Sequence, residues 1–249
     1  MQNIIYQLTH IEQFVRYGTE HLIWLAFTII YIGFWIWLGK KQVSNAAQQG
    51  VGYIFSFISV FTWFSMTYIH IYYDPLYANP TEKYPNGFSP MTVYPLHLCY
   101  FLNLLLPLMH VFRSSRIFDT WYPWVMAACL QALITADLDE AFPHYYDLRY
   151  FIVHITLVLH ALYGAMVYKF RPDYWTPIRA IVIGTSYFFL LHFVNVQMKT
   201  NFMYTEQTPP GTVLELLQPN WFWKGEAILF VLFYVVCAPF YFGKKKGNV

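Results

Sequence analysis

The chain has 249 residues, of which 57% are hydrophobic, 22% aromatic and only 11% charged. Soluble domains carry roughly a quarter charged residues, so this chain cannot cover a water-facing surface and reads as an all-α, polytopic membrane protein. A formal net charge of +2 gives no footing for a nucleic-acid partner. The three cysteines, Cys99, Cys129 and Cys237, lie in apolar stretches. Their odd number and separate predicted depths argue against a disulfide framework.

At the N-terminus, Ile4, Leu8, Ile11 and Val15 recur at helical spacing, with Gln7, Glu12 and Arg16 between them. Residues 4–16 therefore read as a short amphipathic segment lying in the interface, or as a partly ordered tail. The first apolar run follows about twenty fairly polar residues and is long enough to span, unlike a cleavable signal. Seven apolar segments approach the ~20 residues that a spanning helix needs. They fall near 21–38, 51–72, 95–112, 120–136, 149–168, 177–198 and 226–242. Pro107 predicts a kink in the third, and Pro123 is placed in the first turn of the fourth. There are no internal repeats, so residues 1–249 read as one seven-helix domain. The longest loops, 73–94 and 199–225, carry the turn signals Asp74-Pro75, Asn86-Gly87 and Pro209-Pro210-Gly211.

Charge sets the orientation. Lys40, Lys41, Arg113, Arg116, Lys169, Arg171, Arg179 and Lys244 to Lys246 fall on one side; Arg16, Lys83, Arg149, Lys199 and Lys224 fall on the other. The positive-inside rule places the N-terminus outside and the C-terminus in the cytoplasm.

In that orientation five segments carry polar groups in their outer third. Cys99 lies about one turn below Pro95, and His154 roughly a turn and a half into its helix. His70, Gln131, His192 and Asn195 lie near the outer ends of theirs. The inner two-thirds hold few strong polar groups besides His110 and His160. Helical spacing puts Cys99 and Asn103 on one face; it does the same for Thr67, His70 and Asp74, for Asp147, Tyr150 and His154, and for Thr185, His192, Asn195 and Lys199. His97 and Cys99 would diverge by about 200° on a regular helix, so Cys99 needs a base from another helix, and His154 has the matching depth. Polar groups in hydrocarbon are expensive unless they face a polar interior. Isolated ones commonly do no more than bond between helices, and Cys129 and Cys237 read as small packing residues.

A thiol and an imidazole can cooperate: the histidine takes the proton, and the thiolate attacks an ester and holds the acyl group as a thioester. Asn103, Asn195, Gln131 and Asn201 are candidate donors to the oxyanion, and Asp137 or Asp147 a candidate acid to orient the imidazole. A site at outer-leaflet depth matches the scissile carbonyl of a glycerolipid.

Pro95-Leu96-His97-Leu98-Cys99, with Leu104-Leu105-Leu106-Pro107-Leu108, resembles the third-helix signature of the YwaF-like bacterial integral membrane proteins, which are similar to the eukaryotic transmembrane protein 164 family. Gln131-Ala132-Leu133-Ile134-Thr135-Ala136-Asp137-Leu138, Phe151-Ile152-Val153-His154 and Thr200-Asn201-Phe202-Met203-Tyr204 extend the likeness, which runs from about residue 20 to 242. The chain departs from that pattern at Ala136, where proline is expected, and at Tyr100, where bacterial relatives often carry an acid. The resemblance implies a cysteine-dependent phospholipid acyltransferase in a bacterial cytoplasmic membrane, using Cys99 and His154 without metal or cofactor. Its partners would be membrane phospholipids and lysophospholipids. The remaining readings are a non-catalytic transporter or lipid-binding receptor with a polar cavity, and a haem protein using pairs from His70, His97, His154 and His192.

Overall fold

The computed structural model describes residues 2–9, 13–73, 93–136, 138–208 and 213–242. Among these the regular structure is helical, with an isolated bridge between Gln13 and Glu140. The elements are α1 (Gln2–Thr9), α2 (Thr19–Lys41), α3 (Asn45–Tyr73), α4 (Leu98–Leu105), α5 (Pro107–Val111), α6 (Ser115–Trp124), a π-helical turn (Val125–Cys129), α7 (Leu130–Ile134), α8 (Tyr145–Met166), α9 (Thr176–Met198), a 3-10 turn (Phe202–Tyr204), α10 (Val213–Leu216) and α11 (Trp221–Phe242). The turn signals in 74–92 and 209–211, Asp74, Asp137 and the lysines Lys83 and Lys244 to Lys246 lie outside the described residues.

Five helices, α2, α3, α8, α9 and α11, are long and apolar enough to cross a membrane. The other two expected segments are helical but interrupted, and proline is involved in both. Pro107 has no N–H to continue the ladder, so α4 ends at Leu105 and α5 restarts at Pro107. The fourth segment begins earlier than expected, because Ser114 caps it by accepting from the Ile117 amide at 3.3 Å. Pro123 consequently sits inside α6 rather than in a first turn. Just beyond it the helix widens, and the Leu130 amide bonds back to Val125 in π register.

The central pillar is α8. Phe151, Val153, Ile155, Leu157, Leu159 and Tyr163 are all buried, and α2, α3, α4 and the α6–α7 run pack around it. A helix buried on nearly all sides occupies such a position. The outer helices show the opposite: Ile29 and Ile30 on α2, Leu190 and Phe193 on α9 and Val231 on α11 point outward, as lipid contact requires. Close approach of α3 to α5 depends on Gly52, since a Cβ there would collide with the His110 ring. The inner histidines bond to each other: His110 Nε2 lies 2.8 Å from His160 Nδ1, and Tyr168 Oη lies 2.8 Å from His110 Nδ1.

Residues 4–16, expected as a short amphipathic segment or a partly ordered tail, are described in part. The described helix spans Gln2–Thr9, and Val15 is exposed; Ile11, Glu12 and the side chain of Ile4 lie outside the described residues. Residues 13–16 run beside the segment before α8. Phe14 is buried there and its amide bonds to Asp139 O at 3.3 Å, while Arg16 Nε donates to Ala136 O at 2.9 Å.

Candidate active site

Cys99 is the second residue of α4, and its position follows from where that helix starts. His97 is the N-cap, with extended backbone angles of −64° and 141°. The expected divergence of His97 and Cys99 assumed a regular helix through both, and His97 lies outside the helix. His97 packs against the rings of Tyr100, Phe202 and Tyr204, accepts a long bond from the Met203 amide at 3.5 Å, and remains in electrostatic reach of Cys99.

The half-buried Cys99 thiol meets the buried imidazole of His154 side chain to side chain, across α4 and α8. His154 Nδ1 lies 2.7 Å from the carbonyl of Tyr150, one turn back on α8. A carbonyl can only accept, so Nδ1 carries the proton and Nε2 keeps its lone pair. The ring of Tyr150 lies against that of His154 with centroids 4.2 Å apart, and its hydroxyl donates to Ala132 O on α7 at 2.7 Å. Backbone and aromatic packing thus fix the imidazole. Asp147 has a different task, accepting from Trp24 Nε1 at 3.2 Å.

Asn103 lies one turn below Cys99 and is buried. Its Oδ1 accepts from Ser59 on α3 at 2.6 Å, while its Nδ2 has no hydrogen-bond partner among the described residues. An unmet buried donor beside a nucleophile is available to an oxyanion. Cys129 closes the other side, with its sulfur 3.8 Å from that of Cys99. The expectation of separate depths for the cysteines fails for this pair, because the π turn carries Cys129 to the level of α4.

The other candidates divide. His70 is buried on α3 and hydrogen bonds to Tyr145 Oη at 2.7 Å, beside Arg149. Asn195 staples the following loop: it donates to Phe202 O and Thr205 Oγ1 and accepts from Thr200 Oγ1 and the Phe202 amide. Asn201 does likewise, donating to Gln207 O and accepting from the Glu206 and Gln207 amides. Both N–H groups of the Asn195 amide are engaged, so it is not free for an oxyanion, and Asn201 is turned to the loop that follows it. Gln131 is exposed on α7. His192 is exposed and pairs with Glu206 at 2.8 Å, so it does not share an inward face with Asn195. Asp137 lies outside the described residues.

Arg149, counted in the sequence as a loop cation, is fully buried. It donates to Thr67 Oγ1 at 3.3 Å and lies over the rings of Tyr100 and Tyr146 at 5.1 and 4.9 Å. Its burial follows from the central position of α8, nearly all of whose residues are buried.

Fold and site define an all-α integral membrane protein with a thiol and an imidazole meeting between its helices. The chain belongs to the TMEM164 family, whose model matches residues 16–237, a span that contains every residue described above around Cys99. No curated protein and no solved structure matches the chain.

Proposed function

We propose that this protein is a membrane-embedded phospholipid acyltransferase working through an acyl-Cys99 thioester. The carrying observation is the pairing of Cys99 with a histidine whose Nδ1 is engaged by Tyr150 O, which leaves Nε2 to take the thiol proton. In the proposed cycle the Cys99 thiolate attacks the ester carbonyl of a phospholipid. Asn103 Nδ2 donates to the oxyanion, and the lysophospholipid leaves with the proton from His154. A lysophospholipid hydroxyl then gives its proton to His154, attacks the thioester and releases Cys99. Water in its place gives hydrolysis. His97, His70 and Arg149 are proposed to support the site or bind substrate. No step needs a metal or cofactor.

The reading extends to topology. We place Leu98–Val111 and Ser115–Ile134 with the five long helices as seven crossings, with the N-terminus outside, the C-terminus cytoplasmic and the site toward the outer leaflet, as the charge asymmetry indicates. The resemblance to YwaF-like proteins supports a bacterial cytoplasmic membrane.

The test is transfer from a labelled diacyl phospholipid to a lysophospholipid in proteoliposomes. Wild type is expected to transfer and Cys99→Ala is not. Full turnover by Cys99→Ala removes the thioester route. Solute flux with Cys99 dispensable favours a transporter instead.

A further inference from the structure

Cys99 and Cys129 sit on separate elements, both free, with sulfurs 3.8 Å apart against about 2.0 Å in a disulfide. Their access differs. Cys99 is half-buried, whereas Cys129 is completely buried behind it. Cys129 ends the π turn, where the helix is already out of α register, and π turns recur at functional sites. His154 stands beside Cys99 as a proton acceptor. The third cysteine, Cys237, is buried near Tyr122 and Tyr241 instead of a thiol.

We infer that Cys129 is a resolving thiol for Cys99, and that an organic hydroperoxide closes the pair to a disulfide that takes the nucleophile out of use. The inference rests on the same nucleophile as the proposed acyl transfer and assigns that site a redox regulation. An apolar hydroperoxide suits a site reached between apolar helices. The Cys99 thiolate, its proton on His154, attacks the terminal oxygen of the hydroperoxide. The O–O bond breaks, and the alkoxide takes the proton from His154 and leaves as an alcohol. Cys99 is now a sulfenic acid. The Cys129 sulfur then attacks the Cys99 sulfur, the S–O bond breaks, and hydroxide leaves as water with the Cys129 proton. Two thiols lose two electrons, and the hydroperoxide is reduced to alcohol and water. The buried partner spares Cys99 the irreversible higher oxidation states.

The experiment treats the purified full chain in detergent with cumene hydroperoxide, then alkylates free thiols and records intact mass and a non-reducing peptide map. Wild type is expected to lose two hydrogens, to yield a linked Cys99–Cys129 peptide, and to recover with dithiothreitol. In Cys129→Ala, Cys99 is expected to gain oxygen and to stay oxidised after dithiothreitol. The inference is overturned if wild-type Cys99 gains oxygen while Cys129 remains alkylatable, or if both thiols remain alkylatable. Should Cys129→Ala not fold, the wild-type peptide map decides alone. These readouts are masses and need no turnover. A disulfide in a protein without acyl transfer leaves this inference standing and removes the proposed function; transfer without a disulfide does the reverse.

Discussion

His154 donates its Nδ1–H to the carbonyl of Tyr150, 2.7 Å away on the same helix, and so leaves Nε2 as the nitrogen that can serve Cys99. Orientation comes from backbone rather than from a carboxylate. Tyr150→Phe keeps that carbonyl and loses the hydroxyl bond to Ala132 O, a contact worth about 1 kcal/mol. Acyl transfer by Tyr150→Phe is expected to stay within a few-fold of wild type, with a modestly lower thermal midpoint. His154→Ala is expected to lower transfer by ~10²–10⁴-fold, the usual range for a general base. A collapse of turnover in folded Tyr150→Phe contradicts the backbone-orientation account.

Asn103 offers its unmet Nδ2 while Ser59 holds its Oδ1. Asn103→Leu is expected to cost ~10²–10³-fold in transfer, as loss of an oxyanion donor does. Ser59→Ala removes the anchor but leaves the donor, so its loss is expected to be smaller. Initial rates of both variants at saturating donor lipid check the order.

Gly52 lies where a side chain would strike the His110 ring, whereas nothing approaches the Cβ position of Gly50 within 4 Å. Gly52→Ala is expected to destabilise by ~1–3 kcal/mol through overpacking, and Gly50→Ala to show no such loss. Thermal unfolding of the two variants in one detergent reads the difference.

His144 caps α8 by accepting from the Tyr146 amide at 3.2 Å, which requires a neutral imidazole. Burial, with the Arg149 charge next, pushes its pKa down from the ordinary 6.5 to about 4. The unfolded chain therefore takes up this proton at higher pH than the folded one. Stability from this group is complete above pH 6.5 and is lost as pH falls toward about 4. His144→Asn keeps a cap acceptor without the titration. It is expected to flatten the decline in thermal midpoint across that window; an unchanged slope assigns the decline to other groups.

Much of this arrangement is readable from the residues alone. Apolar length finds the five long helices, and the depths of Cys99 and His154 bring them to one level. What escapes is what depends on local departures from α geometry. The start of α4 after His97 and the π turn ending at Cys129 each shift side chains in ways that regular helical arithmetic misses. Arg149 escapes for another reason: its charge marks a helix end, while its burial follows from the central place of α8 among the other helices. Asn195 and Asn201 carry the same amide as Asn103, but they bond to the backbone and side chains of residues 200–207 instead. That competition is a tertiary fact with no trace in spacing.

The most direct measurement is the intact mass of the wild-type protein after incubation with a diacyl phospholipid and no acceptor, read with and without hydroxylamine. The account predicts an added mass of one acyl chain on Cys99, removed by hydroxylamine and absent from Cys99→Ala. An unmodified Cys99 in a preparation that transfers acyl chains, or an adduct that persists in Cys99→Ala, contradicts it.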